Sequence, residues 1–182
     1  MLEDWLLIRR LRQGDRTALA RVYQKYKDDM LTIANCLLID LAAAEDCLHD
    51  VFVGFASGAA ELRPGGNLKG YLLTATANRA RDRLRAKTRQ KENVSLADMA
   101  DLADDPAEPT AGLIDCEETT RLYNALAELP YEQREVITLH VHGKLRFRQI
   151  AKRQGVSTNT VQSRYRYGLD KLRTLLKAGA RP

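Results

Sequence analysis

The segment Leu145-Arg-Phe-Arg-Gln-Ile-Ala-Lys-Arg-Gln-Gly-Val-Ser-Thr-Asn-Thr-Val-Gln-Ser-Arg-Tyr-Arg-Tyr-Gly-Leu-Asp-Lys-Leu-Arg173 decides the fold of the C-terminal part of this chain. It predicts two helices joined by a tight turn. Gly155 suits the positive φ that ends a first helix, and Ser157 is a good N-cap for a second. The second helix has one apolar stripe, formed at spacings of three and four by Val161, Tyr165, Leu169, Leu172 and Leu176. The segment therefore predicts a helix-turn-helix.

The opposite face of the second helix is polar and cationic. Its side chains are of the kinds that hydrogen-bond base edges and phosphates: Thr158, Asn159, Gln162, Ser163, Arg164 and Arg166. The simpler alternative is an amphipathic helical hairpin with a solvated basic face. The spacing of Ala151, Gly155, Val156, Ser157 and Val161 favours the DNA-binding motif.

Charge is concentrated in blocks along the chain, although the net charge is only +5. Residues 69–91 contain eight Lys or Arg and one acid, and residues 144–182 contain eleven and one. Between them, residues 92–120 contain nine acids and no Lys or Arg. This pattern predicts two polyanion-binding surfaces separated by an acidic tether.

Several classes of protein are disfavoured by composition. The three cysteines lack metal-ligand spacing, and no apolar run approaches membrane-spanning length, so we expect reduced thiols, no metal, no cofactor and no membrane insertion. The N-terminus is not a signal peptide, which predicts a cytoplasmic protein. No constellation of nucleophile, base and acid suggests an enzyme.

The remaining periodicity is helical throughout. We predict an all-α protein of two small helical domains, over residues 1–91 and 120–182, joined by a flexible acidic linker over 92–119. Within the first domain we expect Asp15 to cap the second helix, a third helix from residue 42, and a fourth over Tyr71–Arg89. A single helical turn near 96–102 is the only structure expected in the linker.

Two groups of motifs resemble bacterial sigma factors of the extracytoplasmic-function (ECF) type. The first domain is similar to sigma region 2 in Arg12-Gln-Gly-Asp15, Tyr23-Gln-Lys-Tyr26, Ala44-Glu-Asp-Cys-Leu-His-Asp-Val-Phe52, Leu68-Lys-Gly-Tyr-Leu72 and Ala77-Asn-Arg79. The second is similar to region 4 in Leu129-Pro130, Gln133-Arg-Glu-Val136, Ile150-Ala151, Gly155-Val-Ser157 and Thr160-Val-Gln-Ser-Arg164. Both groups occur in the expected order and cover almost the whole chain outside the linker. The resemblance implies a factor that binds core RNA polymerase and directs promoter-specific initiation.

The resemblance implies that the third helix docks on the clamp helices of the largest polymerase subunit. The residues that would do so are Asp46, His49, Asp50 and Phe52. The family usually has Gln and Glu at the positions of His49 and Asp50, so the contact chemistry differs but stays polar.

The fourth helix and its preceding loop would recognise and melt the −10 element of the promoter. The implied residues are Leu62, Lys69, Tyr71, Asn78, Arg79 and Arg83. Asn78 matches the family's pocket for a flipped-out base, and capture of that base offsets the cost of unstacking it. Tyr71 replaces a common Trp and remains aromatic.

Region 4 would place its second helix in the major groove of the −35 element. Gln162, Ser163, Arg166 and Tyr167 match base-contacting positions, whereas Arg164 and Lys171 fit phosphate contacts; Thr158, Asn159 and Thr160 lie at the start of the same helix. The chain departs from the family pattern at Arg146, where a Ser or Thr cap is usual, and at Arg148 and Gln149, where acids are usual. We expect added phosphate affinity and weaker capping there.

The acidic linker admits two interpretations, a solvated tether or a segment that enters the polymerase channel. The family's usual regulators, anti-sigma factors, are implied as further partners, beside double-stranded and melted promoter DNA. The main alternative function is a stand-alone helix-turn-helix regulator with a sensing or dimerising N-terminal domain. A nonspecific nucleic-acid-binding protein is a third possibility.

Overall fold

The computed structural model describes residues 2–61, 67–97 and 117–178, and every regular element within these ranges is helical. Leu62 and most of the proposed linker, including residues 98–102 of the expected turn, lie outside the described residues. None of the helices described is both long and apolar enough to cross a membrane.

Eight α-helices follow one another in the described residues, with a short 3₁₀ turn at Ala59–Glu61 after the third. In chain order they are α1 (Leu2–Arg12), α2 (Arg16–Leu38), α3 (Leu41–Ser57), α4 (Leu68–Ala97), α5 (Glu117–Ala127), α6 (Tyr131–Val141), α7 (Phe147–Gln154) and α8 (Thr158–Ala178). The predicted all-α fold is confirmed.

Side-chain caps set the boundaries of the first helices. Asp15 accepts hydrogen bonds from the backbone N–H groups of Thr17 at 2.8 Å and Ala18 at 3.4 Å, as predicted from sequence. Helix α2 ends where Ile39 takes the left-handed conformation at φ 56°. Asp40 then caps α3 by accepting from the N–H of Ala43 at 3.0 Å.

Helix α4 is longer than predicted at both ends. It begins at Leu68 instead of Tyr71 and continues to Ala97, into the segment assigned to the linker. The stretch from Gln90 to Ala97 contains neither Gly nor Pro and only one acid, Glu92, so nothing in it interrupts the helix. At ~1.5 Å per residue, α4 forms a rod of roughly 45 Å.

The N-terminal half packs α1, α3 and α4 around α2, which supplies the centre of the core. Val22, Met30, Ile33 and Leu37 are fully buried along one face of α2. Leu72, Thr76 and Ala80 of α4 are buried as predicted, and Thr76 satisfies its hydroxyl by donating to the carbonyl of Leu72 at 2.9 Å. This packing fixes which faces of α3 and α4 remain at the surface.

The predicted helix-turn-helix is formed by α7 and α8. Gly155 has φ 67° at the end of α7, and the N–H of Thr160 donates to Ser157 Oγ at 3.0 Å, so both predicted devices are confirmed. Val156 is only half-buried, whereas the sequence predicted burial beneath the turn. The N–H of Arg146 donates to Gln149 Oε1 at 2.8 Å, which supplies a cap that the sequence led us to expect to be weak.

Gly168 allows α8 to cross α6 closely. A Cβ atom at this position would lie 2.8 Å from Ile137 Cδ1 and 3.1 Å from the Cβ of Gln133. Because real Cβ atoms do not approach so closely, Gly168 is required by packing; the sequence analysis did not identify it. Close packing at this crossing fixes the orientation of α8 on the rest of the C-terminal half.

The two halves pack against each other through α2, α4 and α6. Val136, Leu139 and Leu145 join the same buried cluster as Leu73 and Ala77 of α4. The Tyr131 hydroxyl donates to the carbonyl of Ala77 at 3.0 Å. The two predicted helical units therefore share one continuous core in this structure.

Candidate nucleic-acid interface

The face of α8 predicted to contact DNA bases is largely exposed. Gln162, Arg166 and Tyr167 point away from the core, and the Arg166 guanidinium lies 5.1 Å from the centre of the Tyr167 ring. Asn159 is exposed at the start of the helix, whereas Thr158, Thr160 and Ser163 are half-buried. The structure thus brings the base-contacting candidates together on one cationic helical surface.

The two predicted phosphate contacts on α8 already have partners within the protein. Arg164 donates to Gln154 Oε1 at 3.2 Å, and Lys171 donates to the carbonyl of Glu128 at 2.5 Å. Both acceptors are uncharged, so neither side chain forms a direct ion pair through these bonds, although Gln154 links Arg164 to the Glu135 carboxylate. Both positive charges remain available to phosphates.

Helix α4 presents Asn78 at the surface, and Tyr71 is about half exposed two turns earlier. The Tyr71 ring packs 6.2 Å from that of Phe55, which holds its position against α3. Lys69 forms an ion pair with Asp29 of α2 at 2.6 Å. Of the candidates for this surface, Leu62 alone lies outside the described residues.

Arg79 and Arg83 of α4 both bind the carboxylate of Asp50 on α3. Arg79 donates to Asp50 Oδ2 through Nε at 3.1 Å and through a terminal nitrogen at 2.9 Å, and Arg83 donates to the same oxygen at 2.5 Å. Arg83 also contacts Asp46 Oδ2 at 3.3 Å. Hydrogen bonds from Arg83 and Arg79 lower the pKa of Asp50, so it is fully ionised near neutral pH.

This arrangement changes the expected roles of two acids. The sequence placed Asp46 and Asp50 on a docking face and Arg79 and Arg83 on a DNA face, as separate surfaces. In the structure they form one ion-pair network between α3 and α4. The pairing joins residues about 30 positions apart, which periodicity within one helix does not reveal.

A second set of arginines on α4 faces the C-terminal half. Arg81 donates to both oxygens of Glu135, at 2.7 and 2.5 Å, and Gln154 donates to Glu135 Oε2 at 2.8 Å. Burial raises the pKa of Glu135, while the bonds from Arg81 and Gln154 oppose that rise. Because Gln154 also accepts from Arg164, a continuous polar chain connects α4 to α8.

A cleft of about 590 Å³ lies beside this chain, between the end of α4 and the helix-turn-helix. Arg85 and Arg89 line it from α4, and Arg164 lines it from α8. Arg85 and Arg89 follow Arg81 at intervals of four residues and form one stripe along α4, on the side of α8. Arg79 and Arg83 form a second stripe, on the side of α3. The sequence analysis recognised the cationic helix but not its division into two faces.

A groove of about 600 Å³ runs between α2 and α3 on another face of the N-terminal half. Its apolar lining includes Leu19, Tyr23, Leu31, Leu48 and Phe52. Of the four predicted docking residues, His49 and Phe52 lie in this groove, whereas Asp46 and Asp50 contact α4.

Glu45 and Val53 also line the groove, and the sequence analysis did not select them. With His49 they occupy positions four residues apart, so one face of α3 carries all three side chains. Val53 is 52% exposed, which is unusual for an apolar side chain beside a groove. The four-residue spacing of Glu45, His49 and Val53 could have indicated this face of α3 from the sequence. Val53 was not selected because it belongs to no motif associated with binding.

Cys36, Cys47 and His140 have structural environments. Burial raises the pKa of both Cys36 and Cys47 to about 11, and the Cys47 thiol donates to the carbonyl of Thr76 at 3.7 Å. His140 packs 4.2 Å from the ring of Phe147 and contacts the carbonyl of Leu145 at 2.7 Å. Over the described residues, no three His, Cys, Asp or Glu side chains are arranged to hold a metal ion.

Comparison with known families finds two matches in this chain. Residues 22–90 match the model for Sigma-70 region 2, and residues 119–172 match the model for Sigma-70, region 4. The first range contains α3, most of α2 and most of α4, and the second contains α6, α7 and most of α5 and α8. The two matches together leave out residues 1–21, 91–118 and 173–182, and so α1 and nearly all of the acidic segment.

Curated relatives show the same similarity over most of their length. The chain is 30% identical over 177 residues to the ECF RNA polymerase sigma factor SigK of Mycolicibacterium vanbaalenii, covering 93% of this chain and 87% of that protein. It is 28% identical over 173 residues to the SigK of Mycobacterium tuberculosis (strain ATCC 25177 / H37Ra), covering 93% and 91% of the two chains.

Solved structures share the fold. The sigma factor RpoE, solved with the anti-sigma factor NepR from Bartonella quintana, matches with a TM-score of 0.67 at 24% identity, covering 86% of this chain and 97% of that one. CnrH, solved with the cytosolic domain of CnrY, matches with a TM-score of 0.70 at 21% identity, covering 97% and 98%. At these identities the likeness concerns the arrangement of helices.

Proposed function

This chain belongs to the ECF sigma factors, and we propose that three of its surfaces divide the work of transcription initiation among them. As a sigma factor it directs promoter-specific transcription by RNA polymerase. In our proposal the α2–α3 groove docks on core polymerase, α4 recognises and melts the −10 element, and α8 recognises the −35 element. The observation that supports this division is that the cationic surfaces lie on α4 and α8, whereas the groove lies between α2 and α3.

The groove suits an amphipathic helix of the polymerase clamp. Its apolar floor offers Tyr23 and Phe52, whose rings pack 4.9 Å apart, and Val53 stands exposed at its edge. Glu45 and His49 add polar contacts at the rim. Helices bind such grooves by inserting side chains spaced three and four residues apart, while charge at the rim selects the partner. A basic partner helix would complement the Glu45 carboxylate.

Helix α4 supplies the chemistry needed to hold a melted strand. Asn78 is exposed and has both a donor and an acceptor, as required to hydrogen-bond the edge of a flipped-out base. The exposed ring face of Tyr71 offers a surface on which a base can stack, and neighbouring arginines can contact phosphates. Capture of unpaired bases requires no chemical fuel, because binding offsets the cost of unstacking.

Helix α8 supplies direct recognition of double-stranded DNA. Gln162 and Arg166 lie one turn apart on its exposed face, and their amide and guanidinium groups match the edges of adenine and guanine in the major groove. Arg164 and Lys171 flank that face with positive charge. We therefore assign base recognition to the first pair and phosphate contacts to the second.

The packed arrangement of the two halves has to open for both elements to be bound at once. Elements centred near −35 and −10 lie about 25 base pairs apart, or roughly 85 Å of DNA axis. In the structure, Arg81 and Arg164 are joined through only two intervening side chains, Glu135 and Gln154. We propose that docking on core polymerase separates the halves, with the acidic segment serving as the tether between them.

The remaining partners follow from the family. Its members bind RNA polymerase and promoter DNA, and the solved neighbours include complexes with an anti-sigma factor, so we include an anti-sigma factor among the proposed partners of this chain. Because a sigma factor acts with core polymerase, we propose that the protein works in the cytoplasm. Every step in this proposal is a binding step. A stand-alone regulator would leave the groove and the Asn78 face of α4 without a role.

Reconstitution with core polymerase tests the proposal. We expect the wild-type chain to support run-off transcription from selected genomic fragments, and Val53→Asp to abolish core binding by placing a charge at the groove. Leu6→Asp is the matched control, because Leu6 on α1 is 51% exposed and lies outside the groove lining. Both variants must retain the wild-type thermal transition. Equal core binding by both variants would contradict the docking assignment, and absence of promoter-selective transcripts would contradict the function.

A further inference from the structure

Asp50 occupies a position between two of the proposed surfaces. It lies on α3 next to His49, which lines the groove, and its carboxylate binds Arg79 and Arg83 of α4. Arg79 directly follows Asn78 in the helix. A single side chain therefore directly follows a groove residue in α3 and binds two cations of α4, one of which directly follows the proposed base-contacting residue.

The geometry of this contact concentrates both guanidinium groups on one oxygen. Three nitrogen atoms lie within 3.1 Å of Asp50 Oδ2, two from Arg79 and one from Arg83. Such charge-assisted hydrogen bonds orient the planar guanidinium groups and direct their donors toward α3. While those donors point at Asp50, fewer are directed toward a phosphate.

The charges of Asp50 and Asp46 also oppose the binding of phosphates near Arg79 and Arg83. Asp50 contributes a negative charge beside the part of α4 where phosphates are expected to lie, and Asp46 adds a second through its 3.3 Å contact with Arg83. Each Arg–phosphate contact with a single strand adds about 0.7 to the dependence of log affinity on log salt. A carboxylate that occupies these arginines should reduce both the affinity and that salt dependence.

We propose that Asp50 is a positioning residue that holds Arg79 and Arg83 on α3 in the free protein, and that core polymerase releases them to promoter DNA by drawing Asp50 toward the docked partner. The inference rests on the proposed function, because it takes α4 as the DNA-contacting helix. The chemistry required of the partner is a basic side chain at the α3 surface, able to bind the Asp50 carboxylate in place of the two arginines. Because coupling between two binding events is reciprocal, DNA bound to Arg79 and Arg83 would equally favour docking.

The two carboxylates of the network provide a matched comparison. Asp46→Asn and Asp50→Asn remove the same charge from neighbouring turns of α3. The side chain of Asp46 is 75% exposed and contacts Arg83 only, whereas that of Asp50 is 33% exposed and contacts both arginines. A general effect of net charge predicts equal behaviour of the two variants, and the positioning role predicts a larger effect for Asp50→Asn.

The first experiment measures binding of free protein to a fluorescent 12-nucleotide single strand over a range of salt concentrations. We expect Asp50→Asn to bind about 3–10-fold more tightly than wild type at low salt, with the salt slope steeper by ~0.7–1.4, since one or two arginines become available. Asp46→Asn should gain less than half as much in log affinity. In an Arg79→Gln/Arg83→Gln background, where only the general charge effect remains, Asp50→Asn should gain no more than Asp46→Asn does. Equal gains by the two Asn variants in the wild-type background, or a full Asp50→Asn gain that persists without the two arginines, would overturn the proposal.

The second experiment tests release by core polymerase. Arg79→Gln/Arg83→Gln should change single-strand affinity less than 2-fold in the free protein, and about 5-fold or more in the presence of saturating core. Lys87→Gln, one turn beyond Arg83 on the same face of α4 and exposed, is the control and should have the same effect in both states. If Arg79→Gln/Arg83→Gln changes single-strand affinity equally with and without core polymerase, the proposal that core releases these arginines is overturned.

The two levels of inference fail differently. Wild-type protein that does not support promoter-selective transcription with core contradicts the proposed function, whatever the single-strand affinities are. Wild-type protein that does support it, with no gain in the Asp50→Asn variant, contradicts only the positioning role. A merely structural role for Asp50 would lower the thermal transition without changing the salt slope, and that result would also overturn the proposal.

Discussion

Helices α4 and α8, which we assign to two different promoter elements, hold their cationic side chains in different ways. On α4, Arg79 and Arg83 bind Asp50, and Arg81 binds Glu135. On α8, Gln162 and Arg166 are exposed, and Arg164 and Lys171 contact only neutral oxygen atoms. The arginines of α4 are thus partly neutralised by direct ion pairs with acids of α3 and α6. On α8, Arg173 pairs with Asp170, whereas Arg164, Arg166 and Lys171 form no direct ion pair with the described residues.

This difference indicates that the two DNA contacts have different requirements. Helix α8 is preformed for a duplex, and because its side chains are already on one rigid surface, binding needs little rearrangement. Helix α4 has to exchange carboxylates for phosphates before its arginines can contact a strand. A factor built in this way would engage double-stranded DNA through α8 with little change, and would engage melted DNA fully only after a partner has altered the surroundings of α4.

The largest expected effect concerns the ion pair that ties α4 to the C-terminal half. Glu135 is 2% exposed, so Arg81→Ala leaves a buried carboxylate with Gln154 as its remaining donor. We expect a loss of about 2–4 kcal/mol in unfolding free energy, measured by urea denaturation at neutral pH. Arg85→Ala, one turn later on an exposed position of the same stripe, should change it by about 0.5 kcal/mol or less.

The Arg81→Ala defect should depend on pH in a defined direction. Burial raises the pKa of Glu135 above its value in the unfolded chain, and loss of Arg81 removes a group that opposes the rise. The folded state of the variant therefore binds a proton more readily than the unfolded state, and its stability is lost as pH rises through the folded pKa. We expect the difference from wild type to shrink as pH falls toward the ordinary range of Glu. A pH-independent difference would show that Glu135 is not the source.

The next effect concerns recognition by α8. Gln162→Ala or Arg166→Ala should cost about 1–3 kcal/mol at particular base pairs and relax selectivity there, because each removes contacts to a base edge. Arg164→Ala should weaken binding to all sequences alike and reduce the salt slope by about one unit. Footprint titrations of holoenzyme on promoter variants measure both. Equal losses on specific and random DNA for all three variants would contradict the assignment of α8 to the major groove.

The smallest effect concerns the Asp50 carboxylate itself. Hydrogen bonds from Arg83 and Arg79 lower the pKa of Asp50 in the folded protein. The stability that the ionised carboxylate contributes is therefore present above the pKa that Asp50 has in the unfolded chain. It is lost as pH falls through the pKa that Asp50 has in the folded protein. NMR titration of the side-chain carboxyl should give a midpoint below the usual Asp value. In Arg79→Gln/Arg83→Gln the midpoint should move back toward that value. An Asp50 midpoint that is the same in both proteins would remove the distinction between α4 and α8.

Features that depend on neighbouring residues were predictable from the sequence. Gly155 and Ser157 define the turn of the helix-turn-helix through local backbone preferences, and Asp15 caps α2 for the same reason. The end of α4 was predicted wrongly because acidic composition was taken to signal a linker. A helix continues through Glu92 unless Gly, Pro or a competing contact ends it.

Features that depend on distant pairing were not predictable in this way. Asp50 and Arg79 are 29 residues apart, and Arg81 and Glu135 are 54 apart, so no single helical period places either pair together. Asp50 and Arg79 were predicted on exposed faces, whereas Arg81 and Glu135 were given no role, and the contacts of both pairs depend on how α3, α4 and α6 pack. The groove residue Val53 was missed for the related reason that its significance lies in the gap between two helices.

Promoter melting by α4 is the central claim of this account, and permanganate footprinting of unpaired thymines in holoenzyme–promoter complexes tests it most directly. Asn78→Ala should leave core binding and −35 occupancy nearly unchanged and reduce reactivity in the −10 region, because the pocket for the flipped-out base loses its hydrogen bonds. A promoter with a pre-melted bubble should restore most of the open complex. A wild-type footprint from the Asn78→Ala holoenzyme on fully double-stranded promoter would contradict the assignment of melting to this residue.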